Sequence, residues 1–120
     1  MGAALACPER KVIAFQADGS GMYSVQSLWS MARESLDVVT IVCSNRAYRI
    51  LQAELARAGI ALPGRNARSL TDLSHPDLDW VSLARGLGVP GTRAETAEGF
   101  CDAFARCLAE PGTALIEAVL

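Results

Sequence analysis

Lys11-Val-Ile-Ala-Phe-Gln-Ala17 runs directly into Asp18-Gly19-Ser20-Gly21. A short apolar run that stops at a polar, glycine-containing turn reads as a buried strand leaving the core. Apolar residues then recur at Met22, Val25, Leu28, Trp29 and Ala32, the spacing of one helix face. Val38 to Cys43 repeats the strand signature with β-branched residues. Strand, turn, helix and strand in that order predict a βαβ unit, whose two strands are parallel.

The same alternation continues along the chain. Asn45-Arg46-Ala47 reads as a loop. Tyr48, Leu51, Leu55 and Ala58 form a helical stripe that Gly59 ends. Residues 59–78 show no clear period and read as a long connection, of the kind that is often functional. Asp79 is placed to cap a helix carrying Trp80, Leu83, Ala84 and Leu87, with Gly88 at its end. Val89 to Ala94 is a strand candidate weakened by Pro90 and Gly91. Thr96 reads as the cap of a helix bearing Ala97, Phe100, Cys101, Phe104 and Leu108. Pro111-Gly112 breaks that helix, and Ala114 to Leu120 reads as the last strand. The expected fold is α/β, a parallel sheet with helices on both faces, formed by one domain over residues 1–120.

Composition narrows the function classes. The chain has 120 residues, 51% of them hydrophobic and 20% charged, with net charge -2. That is globular composition, and the lack of basic clusters argues against binding to a nucleic-acid backbone. Cys7, Cys43, Cys101 and Cys107 show no metal-ligand spacing and read as buried free thiols in a reducing compartment. The first residues have no basic region of a signal peptide, and Ala6 breaks a myristoylation pattern. The apolar runs are strand-length, far short of the ~18 residues of a membrane span. A soluble cytoplasmic protein is expected.

Ligands of open α/β sheets bind beyond the carboxyl ends of the strands. Asp18-Gly19-Ser20-Gly21 and Asn45-Arg46-Ala47 share that address. Free N–H groups where a turn enters a helix favour a phosphate. Gly19 and Gly21 let a backbone approach a bulky anion, and Ser20 adds a hydroxyl. A carboxylate at Asp18 would repel a diphosphate unless a divalent cation lay between them. Mg²⁺ takes carboxylate, amide and carbonyl oxygens together with phosphate oxygens. Asp18, the Asn45 side chain and the Ala47 carbonyl offer those three oxygen types. A turn and a helix cap are the competing readings of the same residues.

Asp18-Gly19-Ser20 followed by Asn45, 27 positions after Asp18, resembles the Gly-Asp-Gly…Asn motif of thiamine-diphosphate-dependent enzymes. The segments Asp18–Arg33, Asn45–Leu51, Pro76–Trp80 and Leu115–Leu120 resemble the acetolactate synthase and benzoylformate decarboxylase group, so that the likeness spans nearly the whole chain. The resemblance implies a thiamin diphosphate-binding fold with thiamine diphosphate and Mg²⁺ as cofactors. It implies Asp18, Asn45 and the Ala47 carbonyl as metal ligands. It places Gly19, Ser20, Gly21 and the Tyr48 backbone around the diphosphate. Ala17 departs from the motif, which has glycine there. Whole enzymes of this group also contain a pyrimidine-binding domain with the glutamate that activates the cofactor. The expectation is therefore an N-terminally truncated diphosphate-binding module, inactive alone. It would act on 2-keto acids, by carboligation or by benzoylformate-like decarboxylation, only with a pyrimidine-domain chain or within a homo-oligomer. The alternatives are a non-catalytic truncated fragment and an unrelated α/β nucleotide- or phosphate-binding module. Residues 1–7 look like the tail of a helix whose preceding strand is absent, which predicts an unpaired sheet edge and self-association.

The remaining candidates have plain structural readings. His75 is the only histidine and lies in the long connection. Trp29 and Trp80 read as core. Arg46, Arg49 and Arg57 read as solvated, with Arg46 the best placed to face an anion. Glu34, Glu54 and Glu117 read as solvated or capping residues. Gly99, inside a helix, costs roughly 1 kcal/mol relative to alanine.

Overall fold

The computed structural model describes residues 1–60 and 63–120. The elements in chain order are α1 (Gly2–Ala6), β1 (Val12–Ala17), α2 (Asp18–Gly21), α3 (Ser27–Arg33), β2 (Val38–Ser44), α4 (Arg49–Arg57), α5 (Arg65–Leu70), α6 (Trp80–Gly86), β3 (Gly91–Ala94), α7 (Ala97–Ala109) and β4 (Ala114–Val119). The four strands form one sheet in the order β1-β2-β4-β3. Every pairing is parallel, with Ala14 opposite Thr40, Thr40 opposite Leu115 and Leu115 opposite Gly91. All four strands therefore end at the same edge, beside Asp18, Asn45, Glu95 and Leu120.

β2 is central and buried along nearly its whole length, as its unbroken apolar run requires. Its alternate side chains feed two cores. On one face Val38 and Val42 pack with Leu28, Met31, Trp80, Ala84 and Leu115. On the other, Val39 and Ile41 pack with Ile116, Ala94 and Ala103, and with Phe100 and Phe104 of α7. Helices thus cover both faces. α7 lies over β3 and β4, and the same face of the edge strand β1 leaves Ile13 and Phe15 exposed.

Several local expectations change in three dimensions. The helix expected from Met22 starts later, and the expected turn before it is helical. Asp18–Gly21 closes one helical turn, and α3 begins only at Ser27. Trp29 is 51% exposed rather than core, with the Arg33 guanidinium 5.3 Å above its ring. Leu28 and Met31 face the sheet instead, and Trp29, one residue from Leu28, is turned about 100° away. The α4 stripe reaches neither core, and no α4 residue is buried. The long connection contains α5, held to α4 through Gln52 and Thr71; residues 61 and 62 of that connection lie outside the described residues. The cysteines are free, but Cys101 is exposed and Cys7, Cys43 and Cys107 are only part-buried. Burial, then neighbouring Glu110, push the Cys107 thiol up.

The helix ends follow the sequence closely. Thr96 Oγ1 accepts from the Gly99 N–H at 3.1 Å. Gly59 and Gly88 both adopt positive φ, +80° and +79°, the conformation that ends helices at glycine. At the start of α6, Asp79 Oδ1 accepts from the Ser82 N–H and Oδ2 from the Ser82 hydroxyl. The Ser82 hydroxyl, then its N–H, hold the Asp79 carboxyl below its ordinary value of 3.8. A depressed folded-state pKa contributes stability above the unfolded value and loses it as pH falls through the folded one. Urea midpoints are therefore expected to fall below about pH 4, and Asp79→Ala is expected to reduce that acid-side slope. An unchanged slope in the variant would exclude the cap as its source.

Candidate functional site

Asp18 is the first residue past β1, and it is 1% exposed. Its Oδ1 accepts from the Gly19 N–H at 2.8 Å, and its Oδ2 from the Arg46 N–H at 2.5 Å. The second bond stitches the end of β1 to the loop after β2. That loop is tightly wound. Arg46 has φ +57°, rare for a residue with a side chain, and Asn45 Oδ1 accepts from the Ala47 N–H at 3.1 Å. The far side of the loop is zipped to the connection. Leu73 N–H donates to the Arg46 carbonyl, and Tyr48 N–H donates to the Thr71 carbonyl.

These bonds give the region a definite chemistry. No Lys, Arg or His lies within ion-pair distance of Asp18 among the described residues. Burying a carboxylate is costly unless a partner compensates its charge. Two backbone N–H groups do so only in part, and each carboxylate oxygen keeps a further lone pair. The Ala47 carbonyl accepts none of the backbone bonds of the described loop. A carboxylate, an amide oxygen and a free carbonyl on adjoining loops are a hard-oxygen donor set, which suits Mg²⁺ or Ca²⁺ better than zinc. The residues present fit such a cation.

The other positions read from the sequence occupy distinct roles. Ala17 takes φ -94° and ψ 158°, ordinary extended backbone, and its methyl group is exposed. Alanine in place of the motif glycine is therefore unstrained. Ser20 turns back on its own turn, with its hydroxyl 3.1 Å from both Gln16 Oε1 and the Ala17 carbonyl. Gly19 and Gly21 are needed by neighbouring rings. A Cβ on Gly19 would lie 2.6 Å from Tyr48 ring carbons, and one on Gly21 2.7 Å from Trp80 Cη2. Tyr48 thus covers Gly19 with its ring, while its N–H is committed to Thr71.

The arginine and glutamate readings divide. Arg46 pairs with Asp77 at 3.5 Å, Arg57 pairs with Glu54, and Arg49 is exposed. Glu34 is exposed beside Arg33. Glu117 corrects the expectation: it is 3% exposed, and its Oε2 accepts from Arg93 Nε at 2.9 Å. Arg93 stands opposite it in the adjoining strand and reaches Asp79 as well. Parallel pairing of β3 with β4 creates this contact, and no local spacing signals it.

His75 is also not isolated. Its Nδ1 lies 2.8 Å from Ser74 Oγ and 3.2 Å from Asp72 Oδ2. The Ser74 hydroxyl is also 2.6 Å from Asp72 Oδ1, so Ser74 has the carboxylate rather than the imidazole as its closer partner. The group is exposed and forms a loop clasp, without the serine–base–carboxylate relay that nucleophilic catalysis uses.

A parallel sheet with a buried carboxylate and an amide loop at its carboxyl edge defines a cofactor-binding α/β domain. The chain belongs to the family "Thiamine pyrophosphate enzyme, C-terminal TPP binding domain", which residues 1–118 match. It is 48% identical over 121 residues to IlvX of Mycobacterium tuberculosis, provisionally named an acetolactate synthase large subunit, covering 100% of this chain and 24% of that protein. Benzoylformate decarboxylase of Pseudomonas aeruginosa is 35% identical over 117 residues, 98% of this chain and 21% of the enzyme. The thiamine diphosphate-dependent 4-hydroxybenzoylformate decarboxylase of Rhodococcus jostii superposes with TM-score 0.85 at 38% identity, over 97% of this chain and 21% of that one. This chain spans between a fifth and a quarter of the length of these relatives. It has the thiamine diphosphate-binding C-terminal domain of acetolactate synthase- and decarboxylase-like enzymes. Among the described residues, no helix is long and apolar enough to cross a membrane.

Proposed function

We propose that residues 1–120 act as the diphosphate- and Mg²⁺-holding domain of an acetolactate synthase-like 2-keto acid carboligase or decarboxylase. The observation that supports this most directly is Asp18, buried without a cationic partner among the described residues and bonded to the loop that carries Asn45 and Ala47. Asp18, Asn45 and the Ala47 carbonyl hold the metal. Gly19, Ser20 and Gly21 form the wall beside the diphosphate, and Tyr48 closes that wall with its ring. Bound thiamine diphosphate supplies an electron sink for decarboxylating 2-keto acids. The residues of this chain bind and orient; they do not move its protons. Glu34 and Glu54 are exposed, and Glu117 is tied to Arg93. Activation of the cofactor's aminopyrimidine falls to a glutamate of a pyrimidine-binding domain, on a partner chain or in a larger assembly. The domain alone is inactive and works in the cytoplasm. A benzoylformate decarboxylase-like substrate has equal support, from the Pseudomonas and Rhodococcus enzymes.

The test is a thermal melt with thiamine diphosphate and Mg²⁺ together, and with each alone. A ligand that binds only the folded state, at tenfold over its Kd, adds about 1.4 kcal/mol, a rise of several degrees for a domain of this size. The full rise is expected only with both present, and it is expected to vanish in Asn45→Ala. A midpoint that ignores the pair would overturn the proposal.

A further inference from the structure

We propose, on the basis of that function, that Arg93 is a positioning residue for the diphosphate turn Gly19–Gly21. Anchored on Glu117, it holds the capping end of α6, and α6 carries the Trp80 ring that packs against Gly21. Arg93 Nε donates to Glu117 Oε2 at 2.9 Å, and its Nη2 donates to Asp79 Oδ1 at 3.3 Å. Asp79 is the N-cap of α6 and is bonded to Ser82 through both carboxylate oxygens. Trp80 is the first residue of α6 and is buried, and its Cη2 would lie 2.7 Å from a Cβ on Gly21.

This path has little slack. α6 rests directly on β3, where a Cβ on Gly91 would lie 3.2 Å from Val81 Cα. That contact fixes the height of α6 over the sheet, and Arg93 fixes where its first turn lies along it. An ion pair between half-exposed side chains such as Arg93 and Asp79 is ordinarily weak, because both must be ordered to make it. Here the ordering is already done. Buried Glu117 holds one edge of the guanidinium, and Ser82 holds Asp79. Trp80 is enclosed by the core, so a shift of α6 passes to Gly21 and, one helical turn back, to Asp18. A site whose supporting contacts loosen loses affinity through geometry alone.

Two readouts test this. In the free domain, the ring current of Trp80 makes the Gly21 amide NMR signal a gauge of the ring's place. That signal and the Trp80 indole N–H signal are expected to move in Arg93→Met. They are expected to move also in Asp79→Asn, which keeps an oxygen for Ser82 and loses the charge that Arg93 pairs with. They are expected to stay in place in Ala103→Gly, which loosens α7 over the opposite core. In calorimetric titration with thiamine diphosphate and Mg²⁺, Arg93→Met is expected to bind about tenfold more weakly, the lower end of the cost of removing groups that orient metal ligands. The double variant Arg93→Met with Glu117→Gln separates positioning from stability. It removes the stranded charge, so stability recovers; the cap stays unanchored, so affinity does not. A Gly21 signal unmoved in either Arg93→Met or Asp79→Asn, or an affinity that returns with stability in the double variant, would overturn the inference. A wild-type chain that ignores the cofactor pair would overturn the proposed function instead, and the Gly21 signal would still decide whether Arg93 positions the turn.

Discussion

Replacing Arg93 with methionine is expected to destabilise the domain by about 3 kcal/mol, the lower end of the cost of leaving one member of a buried ion pair alone. Glu117 sits on β4 between two neighbouring strands, and its side chain is 4% exposed. Arg93 is its only cationic partner among the described residues, directly across the ladder. The hydrogen bond and charge of Glu117 raise the Arg93 pKa. Arg93 is itself 44% exposed, and solvent on that side moderates the loss. Methionine keeps the apolar stem and removes only the guanidinium. The matched double variant Arg93→Met with Glu117→Gln is expected to recover much of the loss, because the stranded charge goes too. Urea denaturation of the three proteins decides it. A single-variant loss below about 1 kcal/mol would show that Glu117 reaches solvent after all.

Gly21→Ala is expected to cost about 2 kcal/mol, in the range for overpacking a well-filled core. The new Cβ would lie 2.7 Å from Trp80 Cη2 and 3.2 Å from Cζ2. Trp80 is 2% exposed, with the core around it, so the ring cannot move aside cheaply. Gly19→Ala meets a closer contact, 2.6 Å, but against the half-buried Tyr48 ring. That ring can swing outward, so the Gly19 variant is expected to lose less stability. Its larger effect is expected on the cofactor-dependent rise in melting temperature, because Tyr48 covers Gly19, which the proposed function sets beside the diphosphate. Melts of both variants with and without the cofactor pair separate the two roles. Equal stability losses would show that the Tyr48 ring is as fixed as Trp80.

The legible part of the protein was local. The apolar runs and their breaks marked β1, β2 and β4, and β2, buried along nearly its whole length, is apolar almost throughout; β3 has no such run. Thr96, Asp79, Gly59 and Gly88 marked helix ends, because capping is a matter between residues a few positions apart. The Asp18 and Asn45 loops were also visible, each following its strand, and the structure sets them in contact. Other features depended on which surfaces meet. Trp29 and Trp80 both sit on helical stripes, yet only Trp80 faces the sheet.

Residue type, periodicity and the Asp18–Asn45 pairing determined, from the sequence by itself, the α/β class and the family resemblance. Only the tertiary structure decided that Gly19 and Gly21 make room for the Tyr48 and Trp80 rings and that Glu117 is buried against Arg93. The physical reason is range. Propensity and capping act over a few residues, whereas steric fit, charge compensation and hydrogen-bond satisfaction depend on neighbours supplied by distant parts of the chain.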